Sequence, residues 1–225
     1  MSIVENLGEI HRIIPNSVQL IVVSKTYPSE DIMQAYSAGQ RVFGESRPQE
    51  LLQKQQQLPN NILWHFIGHL QTNKIKQIIP FVNLIHSVDS VRLFNEINKE
   101  AAKIHKVVNC LLQIHIAEED SKFGFSEEEL EQFLSLGNHK LAQSINICGL
   151  MGMATYTDDI EQIHCEFRGL KNIFDKVRSM YFKDNPDFKE LSMGMSGDYL
   201  IAIDEGATMV RIGSSIFGER NRAIE

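Results

Sequence analysis

The stretch "QLIVVSKTYPSEDIMQAYSAGQRVFGES", residues 19–46, carries a complete strand–helix–strand pattern. It begins with a continuous apolar run, which indicates a strand covered on both faces, as in a parallel sheet. Ser29 can start a helix in which Ile32 and Ala35 lie on one face, and Gly39 can end that helix. A second apolar strand follows at once. The stretch therefore predicts one repeat of an α/β fold.

The same alternation continues along the chain of 225 residues. Eight strands separated by helices favour an α/β fold, namely a single (β/α)8 TIM barrel with an extra N-terminal helix near residues 4–14. An open doubly wound sheet is the alternative, but it usually has fewer strands, and no G-x-G-x-x-G pattern follows the first one. One domain over residues 1–225 is expected. The candidate strands are residues 18–26, 41–46, 63–68, 83–89, 107–116, 145–154, 188–196 and 208–217.

Three of the helical segments carry recognisable start signals. Ser126 and Glu129 form a capping-box pattern in "SEEEL". Thr157 is predicted to cap a helix whose first turn follows two aspartates, which suit the positive end of the helix dipole. A further helix is expected at about residues 90–105. Its buried stripe should consist of Leu93, Phe94, Ile97, Ala101 and Ile104.

Composition excludes several classes of protein. The net charge of −7 argues against a general binder of nucleic acid, which needs a basic face. No apolar run approaches the roughly 18 residues of a membrane span, and the start lacks the features of a signal peptide. Cys110, Cys148 and Cys165 are odd in number and far apart, which suits a reducing compartment. A cytoplasmic monomer is expected.

Lys25 comes at the end of the first strand, where an ammonium group would be costly to bury. One interpretation is that the strand stops at Ser24 and Lys25 is simply the first solvated loop residue. In a TIM barrel, however, the active site lies at the C-terminal ends of the strands, so Lys25 falls on the functional face. The residues predicted at these ends are Lys25, Ser46, Gly68, Asp89, His115, Ala154, Ser196 and Gly213.

The stretch "LSMGMSGDYLIAIDEGATMVRIGSSIFGER", residues 191–220, indicates a phosphate site. Two strands end here, one at Ser196 and the other at Gly213 and Ser214. TIM barrels often bind phosphate with the loops after strands seven and eight, where free backbone N–H groups face the anion. Ser196 can also be read as an ordinary helix N-cap. The two loops together favour the phosphate interpretation.

Arg211 lies two residues before Gly213 inside an apolar strand, so both should face the same side of the sheet. A guanidinium there needs an acceptor. A carboxylate from a neighbouring strand is one candidate, and the pyridine nitrogen of a cofactor is another. Together with Lys25 and the phosphate loops, Arg211 points to pyridoxal 5′-phosphate (PLP), since lysine forms a Schiff base with its aldehyde.

The sequence resembles the pyridoxal phosphate homeostasis protein family, which shares its barrel with alanine racemases, over about residues 20–220. By this resemblance Lys25 matches the Schiff-base lysine, Ser196, Gly213 and Ser214 match the phosphate contacts, and Arg211 matches the residue facing the pyridine nitrogen. The resemblance implies a cofactor-binding protein that helps set the supply of free PLP and, through it, amino acid pools. The motifs that carry it are "VVSKT", "FGES", "WHFIGHLQTNK", "HSVDS", "EEDSKFGF", "GLMGMAT" and "LSMGMSGD…MVRIGSSIFGER".

The sequence departs from the family pattern at two predicted strand ends. Ser46 stands in "FGES" where the family has asparagine, and His115 stands in "QIH" where it has another asparagine. Both should face the cofactor, which puts the contacts to its ring in doubt. His65 and His69 have a spacing of four but straddle a strand end, so a metal site is not favoured. His86 falls inside a strand and is expected in the core.

An arginine can only donate hydrogen bonds, so Arg211 would hold the pyridine nitrogen unprotonated and the ring would accept electrons poorly. Racemases of this fold also take a second base from an additional domain, which we do not find in the sequence. A carrier of PLP is therefore favoured, with apo forms of PLP-dependent enzymes as candidate recipients. The alternatives are a PLP-dependent amino acid racemase and an aldolase that uses Lys25 directly on a phosphorylated sugar.

Overall fold

The computed structural model describes residues 2–119 and 123–218 and contains a closed parallel barrel. Each strand pairs with the next one along the chain, and the eighth pairs with the first. This confirms the predicted TIM barrel. The strands are β1 (Gln19–Val23), β2 (Val42–Glu45), β3 (Leu63–Phe66), β4 (Leu84–Val88), β5 (Val108–Gln113), β6 (Ile145–Met151), β7 (Glu190–Met195) and β8 (Met209–Ile212).

Helices connect the strands and cover the outside of the barrel. Of the helices in the described residues, none is long and apolar enough to cross a membrane. Two short 3₁₀ segments lie at Thr72–Lys74 and Asn138–Leu141. The helices are α1 (Ile3–Ile13), α2 (Ser29–Ser37), α3 (Pro48–Gln57), α4 (Ile75–Ile78), α5 (Val91–Lys103), α6 (Glu127–Ser135), α7 (Ile160–Tyr181), α8 (Tyr199–Asp204) and α9 (Ser214–Phe217).

Apolar side chains fill two separate layers. The larger core lies between the strands and the helices and includes all the large phenylalanines that are fully buried. Alternate strand residues point the other way and fill the inside of the barrel. Because residues of one strand alternate between the two layers, Ile21 faces the inside, whereas Leu20 and Val22 belong to the outer core. The inner layer consists of Ile21, Val42, Leu84, Leu111, Cys148, Met151 and Met209.

The eighth strand is shorter than predicted. The sequence pattern placed a strand over residues 208–217, but β8 ends at Ile212 and α9 begins at Ser214. The backbone of Gly213 (φ −126°, ψ −72°) leaves the strand conformation, and the N–H groups of Ile216 and Phe217 then donate to its carbonyl oxygen. The apolar side chains after Gly213 therefore belong to a helical turn.

Two helix details also differ from the predictions. The N-cap of α7 is Asp159, not Thr157, because the Asp159 carboxylate accepts from the N–H groups of Glu161 and Gln162. Ile104 was placed on the buried stripe of α5 but is 45% exposed, since the helix ends at Lys103. The capping box at Ser126 is confirmed.

The Asp159 cap can be tested by its effect on stability. Replacing Asp159 with alanine leaves two N–H groups at the start of α7 without their acceptor, so the free energy of unfolding should fall by about 1 kcal/mol. Thr157→Ala is the matched control, since its hydroxyl accepts from the N–H of Asp159, which lies outside the helix. Urea denaturation of both variants measures this difference. A larger loss in Thr157→Ala would contradict the assignment.

Candidate functional site

The five predicted site residues lie on or just after three adjacent strands, β7, β8 and β1: Arg211 is inside β8, and the other four come after strand ends. Arg211 pairs with Ile21 on one side and with Met195 on the other. Lys25 lies two residues beyond the end of β1, in a turn, and its side chain is half-buried. The strand thus ends earlier than predicted, yet Lys25 is not simply a solvated loop residue.

The loops after β7 and β8 meet as the sequence predicted. The N–H of Gly213 donates to the hydroxyl of Ser196 at 3.2 Å. A Cβ atom on Gly213 would lie 3.0 Å from the carbonyl oxygen of Val23, so the absence of a side chain lets β8 approach the end of β1 closely. Ser214 and Ser215, the first residues of α9, have N–H groups with no acceptor inside the helix.

Arg211 is 4% exposed and points into the barrel. Its Nη1 donates to the Ser192 hydroxyl at 2.6 Å, and its Nη2 donates to the Gly152 carbonyl at 3.0 Å. These two acceptors, rather than the carboxylate we considered, are its hydrogen-bond partners in the described part of the chain. Burial lowers the pKa of Arg211 to about 10, against the opposing charge of Asp198, so the guanidinium stays protonated at neutral pH.

A line of hydrogen bonds continues from Arg211 through the barrel. The Ser192 hydroxyl is 2.9 Å from Nδ1 of His86, and Nε2 of His86 is 3.0 Å from Nδ1 of His65. Since Arg211 can only donate, the Ser192 oxygen accepts from it. The line of contacts runs from the guanidinium through Ser192 and His86 toward the opposite end of the barrel, where His65 lines a cavity of about 360 Å³.

Both histidines are held in the neutral form. Burial lowers the pKa of His65 from 6.5 to about 4. Burial also lowers the pKa of His86 well below its usual value, and the nearby His65 and Arg211 lower it further. Sequence reasoning identified His86 as a core residue but did not identify its link to Arg211. The available signal was a histidine in the apolar β4, a serine in β7 and an arginine in β8.

Ser46 and His115, the two other residues singled out at the strand ends, both make backbone contacts. Ser46 lies just after β2, and its carbonyl oxygen would be 2.3 Å from a Cβ atom on Gly68, so the two backbones touch. His115 donates from Nε2 to the carbonyl of Glu119 at 3.1 Å, and its backbone N–H donates to Phe125. His69, by contrast, contacts Asp89 at 2.9 Å and not His65. The motif residues 120–122 and 219–220 lie outside the described residues.

A charged cluster behind β1 was missed by the sequence analysis. Lys54 of α3 is 5% exposed and donates to Glu45 of β2 at 2.8 Å and to Glu50 at 2.6 Å. Burial raises the pKa of Glu45 to about 7, although the charge of Lys54 opposes this shift. Glutamate in the apolar run "RVFGES" was the signal, since a buried carboxylate requires a partner.

Comparison with known proteins agrees with this geometry. The family described as the alanine racemase N-terminal domain matches residues 1–221. A pyridoxal phosphate homeostasis protein from Aquifex aeolicus is 40% identical over 210 residues, which cover 91% of this chain and 88% of the relative. Another from Synechocystis is 40% identical over 215 residues, covering 95% and 96%. The chain therefore belongs to the alanine racemase N-terminal domain family of barrels and, within it, to the pyridoxal phosphate homeostasis proteins.

Solved structures show the same similarity. PipY of Synechococcus elongatus, solved with PLP bound, superimposes with a TM-score of 0.87 at 34% identity and covers 96% of this chain and 100% of PipY. Alanine racemase from E. faecalis gives a TM-score of 0.71 at 15% identity, which shows the shared fold. There the match covers 97% of this chain but 58% of the racemase.

The neutral state of His65 predicts a pH dependence of stability. The pKa is about 4 in the folded protein and near 6.5 after unfolding, so the unfolded chain takes up a proton first as the pH falls. The neutral His65 therefore contributes fully to the free energy of unfolding above about pH 6.5. This contribution falls by roughly 3 kcal/mol as the pH drops toward 4. His65→Gln should flatten the dependence by that order of magnitude. His11→Gln, on the exposed face of α1, serves as the control. Urea titrations between pH 4 and 8 measure the difference, and equal slopes for His65→Gln and wild type would contradict it.

Proposed function

We propose that this protein binds pyridoxal 5′-phosphate at the C-terminal ends of the barrel strands. It acts as a carrier that sets the supply of free cofactor and, through it, amino acid pools. The observation that supports this most directly is the convergence of a lysine, an arginine and a serine–glycine loop pair on three adjacent strands. The relatives named above are pyridoxal phosphate homeostasis proteins, and PipY was solved with PLP, which supports the same assignment.

The loops after β7 and β8 fit a phosphate group. Ser196 supplies a hydroxyl, and Gly213, whose missing side chain lets β8 lie close to β1, places its N–H against that hydroxyl. The N–H groups of Ser214 and Ser215, at the start of α9, have no acceptor inside the helix and can donate to an anion. In this proposal, Ser196, Gly213 and Ser214 hold the phosphate.

Lys25 and Arg211 fit the rest of the cofactor. A primary amine on the half-buried turn after β1 can join the aldehyde as a Schiff base. Arg211 uses two of its N–H groups on Ser192 and Gly152, which leaves others for the pyridine nitrogen. When bound, PLP supplies a reactive carbonyl and an electron-accepting ring.

Carrier function is favoured over racemisation by the state of Arg211. Because its guanidinium is charged and donates only, a pyridine nitrogen next to it serves as an acceptor and stays unprotonated. That state stabilises negative charge on a bound amino acid poorly. Delivery to apo forms of PLP-dependent enzymes and action as a monomer are parts of the same proposal.

The attachment at Lys25 can be tested by chemical trapping. The protein purified with PLP should absorb as a Schiff base, and borohydride should fix the cofactor to the chain. Peptide mass analysis should then find the adduct on Lys25. Lys25→Ala should bind PLP without being labelled, because no amine remains at that position to react. An adduct on Lys74 or Lys122, with Lys25 unmodified, would contradict the assignment.

The same sample separates carrier from racemase. Incubation with alanine in deuterated water should leave the α-proton in place, since the ring beside Arg211 accepts electrons poorly. Rapid exchange that is lost in Lys25→Ala would favour the racemase. A colourless protein that binds no PLP and forms a borohydride adduct with a sugar phosphate would favour the aldolase.

The phosphate assignment can be tested by comparing two ligands. Ser196→Ala should lower the affinity for PLP by about tenfold, because one hydrogen bond to an anion is lost. Pyridoxal, which lacks the phosphate, should bind the variant and the wild type alike. Ser179→Ala, on the exposed face of α7, is the matched control. Fluorescence titration measures the four affinities, and equal losses for PLP and pyridoxal would place the phosphate elsewhere.

A further inference from the structure

The backbone on both sides of Lys25 is bound to charged side chains from outside the barrel. The carbonyl oxygen of Ser24 accepts from Nζ of Lys54 at 2.7 Å. The N–H of Thr26 donates to Oε1 of Glu50 at 2.6 Å. The ladder of the sheet ends at Ser24, whose N–H donates to Gly44, so these contacts replace strand pairing where the turn begins.

The three charged residues form one connected group, which we call the positioning cluster: Glu45, Glu50 and Lys54. An ammonium group has three N–H donors and no acceptor. Lys54 uses all three, on the carbonyl of Ser24 and on one oxygen of each glutamate. The oxygen of Glu45 that accepts from Lys54 also accepts from the Ser24 hydroxyl at 2.6 Å. The cluster is therefore fitted to the residues beside Lys25.

The turn that carries Lys25 has a backbone conformation that needs such support. Thr26 has φ +70°, in the left-handed region that β-branched residues rarely adopt. Such a conformation persists where the surrounding contacts impose it, and it often occurs at functional sites. Glu50 binds the N–H of this very residue. The strained residue comes directly after Lys25, so its φ and ψ angles set the direction in which the chain leaves the lysine.

The far side of the turn is tied to the proposed phosphate loop. The Tyr27 hydroxyl donates to the carbonyl of Gly218 at 2.7 Å, and the Tyr27 ring stacks on Phe217 at 4.5 Å between centroids. Both partners belong to α9 or follow it directly, and α9 begins next to Gly213. The turn is therefore held from behind by the positioning cluster and from the side by the loop after β8.

We infer that Glu50 and Lys54, with Glu45, are positioning residues that fix the Lys25 turn so that its amine meets the aldehyde of PLP. This inference rests on the proposed function. In the bond-forming step the Lys25 nitrogen attacks the aldehyde carbon, and a C=N bond replaces the C=O bond. The two hydrogens of the amine leave with the aldehyde oxygen as water. The cluster does not touch the reacting atoms and acts through the backbone of Ser24 and Thr26.

A cluster that only holds α3 against the barrel would affect every ligand of the site equally. Pyridoxine 5′-phosphate has the same ring and phosphate as PLP but an alcohol in place of the aldehyde, so it cannot join Lys25. Loss of positioning should lower the affinity for PLP and leave the affinity for pyridoxine 5′-phosphate unchanged. The difference between these two ligands therefore separates positioning from general stability.

The test uses two substitutions at Glu50, which is the most exposed member of the cluster. Glu50→Ala removes the acceptor of the Thr26 N–H and should weaken PLP by about tenfold, with pyridoxine 5′-phosphate within about twofold of wild type. Glu50→Gln keeps an oxygen acceptor at the same place and should restore most of the PLP affinity. Glu96→Ala, which breaks a surface pair with Lys99 on α5, is the matched control.

A measurement on the cofactor-free protein supplies a second test. The Thr26 amide should exchange its hydrogen faster in Glu50→Ala than in wild type, because its acceptor is gone. If the exchange rate of the Thr26 amide is unchanged, or if the affinities for PLP and pyridoxine 5′-phosphate fall equally, the positioning role of the cluster is wrong. In Lys25→Ala the preference for PLP over pyridoxine 5′-phosphate should disappear. A preference that survives there would overturn the attachment at Lys25 itself, a result distinct from failure of the cluster.

Discussion

The pairing of β8 with β1 is the interaction on which the rest of this structure depends. It closes the sheet, which leaves no free strand edge, and it puts residues from the two ends of the chain side by side. Arg211 lies next to Ile21, and Gly213 lies so close to Val23 that a Cβ atom on it would be 3.0 Å from the Val23 carbonyl oxygen. Lys25 and the loop after β8 are far apart in the sequence, and in an open sheet they would lie at opposite edges. The proposed cofactor site is a direct consequence of the closed barrel.

Closure also creates an enclosed interior in which polar groups must find partners. Most of the interior is apolar, but Arg211 is buried there with a positive charge. Its cost is offset by hydrogen bonds to Ser192 and Gly152, and the line continues to two neutral histidines. This arrangement keeps the guanidinium in one orientation. A donor held in one orientation at the level of the site is consistent with the carrier function that we propose.

The same requirement operates on the outside of β1. Glu45 and Lys54 are both almost inaccessible to water, and a buried ion pair is rarely a source of net stability. Replacement by apolar side chains of similar volume would often stabilise such a site. Their hydrogen bonds to Ser24, two residues before Thr26 with its positive φ, support the geometric role that we infer for the pair.

The sequence by itself determined the order of strands and helices, and with it the barrel, because hydrophobic periodicity is a local property. It also pointed to Lys25, Ser196, Arg211, Gly213 and Ser214, since the C-terminal ends of barrel strands are where such residues act. The ends of elements were less certain, as the helical turn after Gly213 and the Asp159 cap show, because one dihedral angle or one side-chain contact decides them. Only the tertiary structure decided the partners of Arg211 and the cluster behind Lys25. Most of those contacts join residues from different strands and helices, and a hydrogen bond between them depends on distances that no local pattern contains.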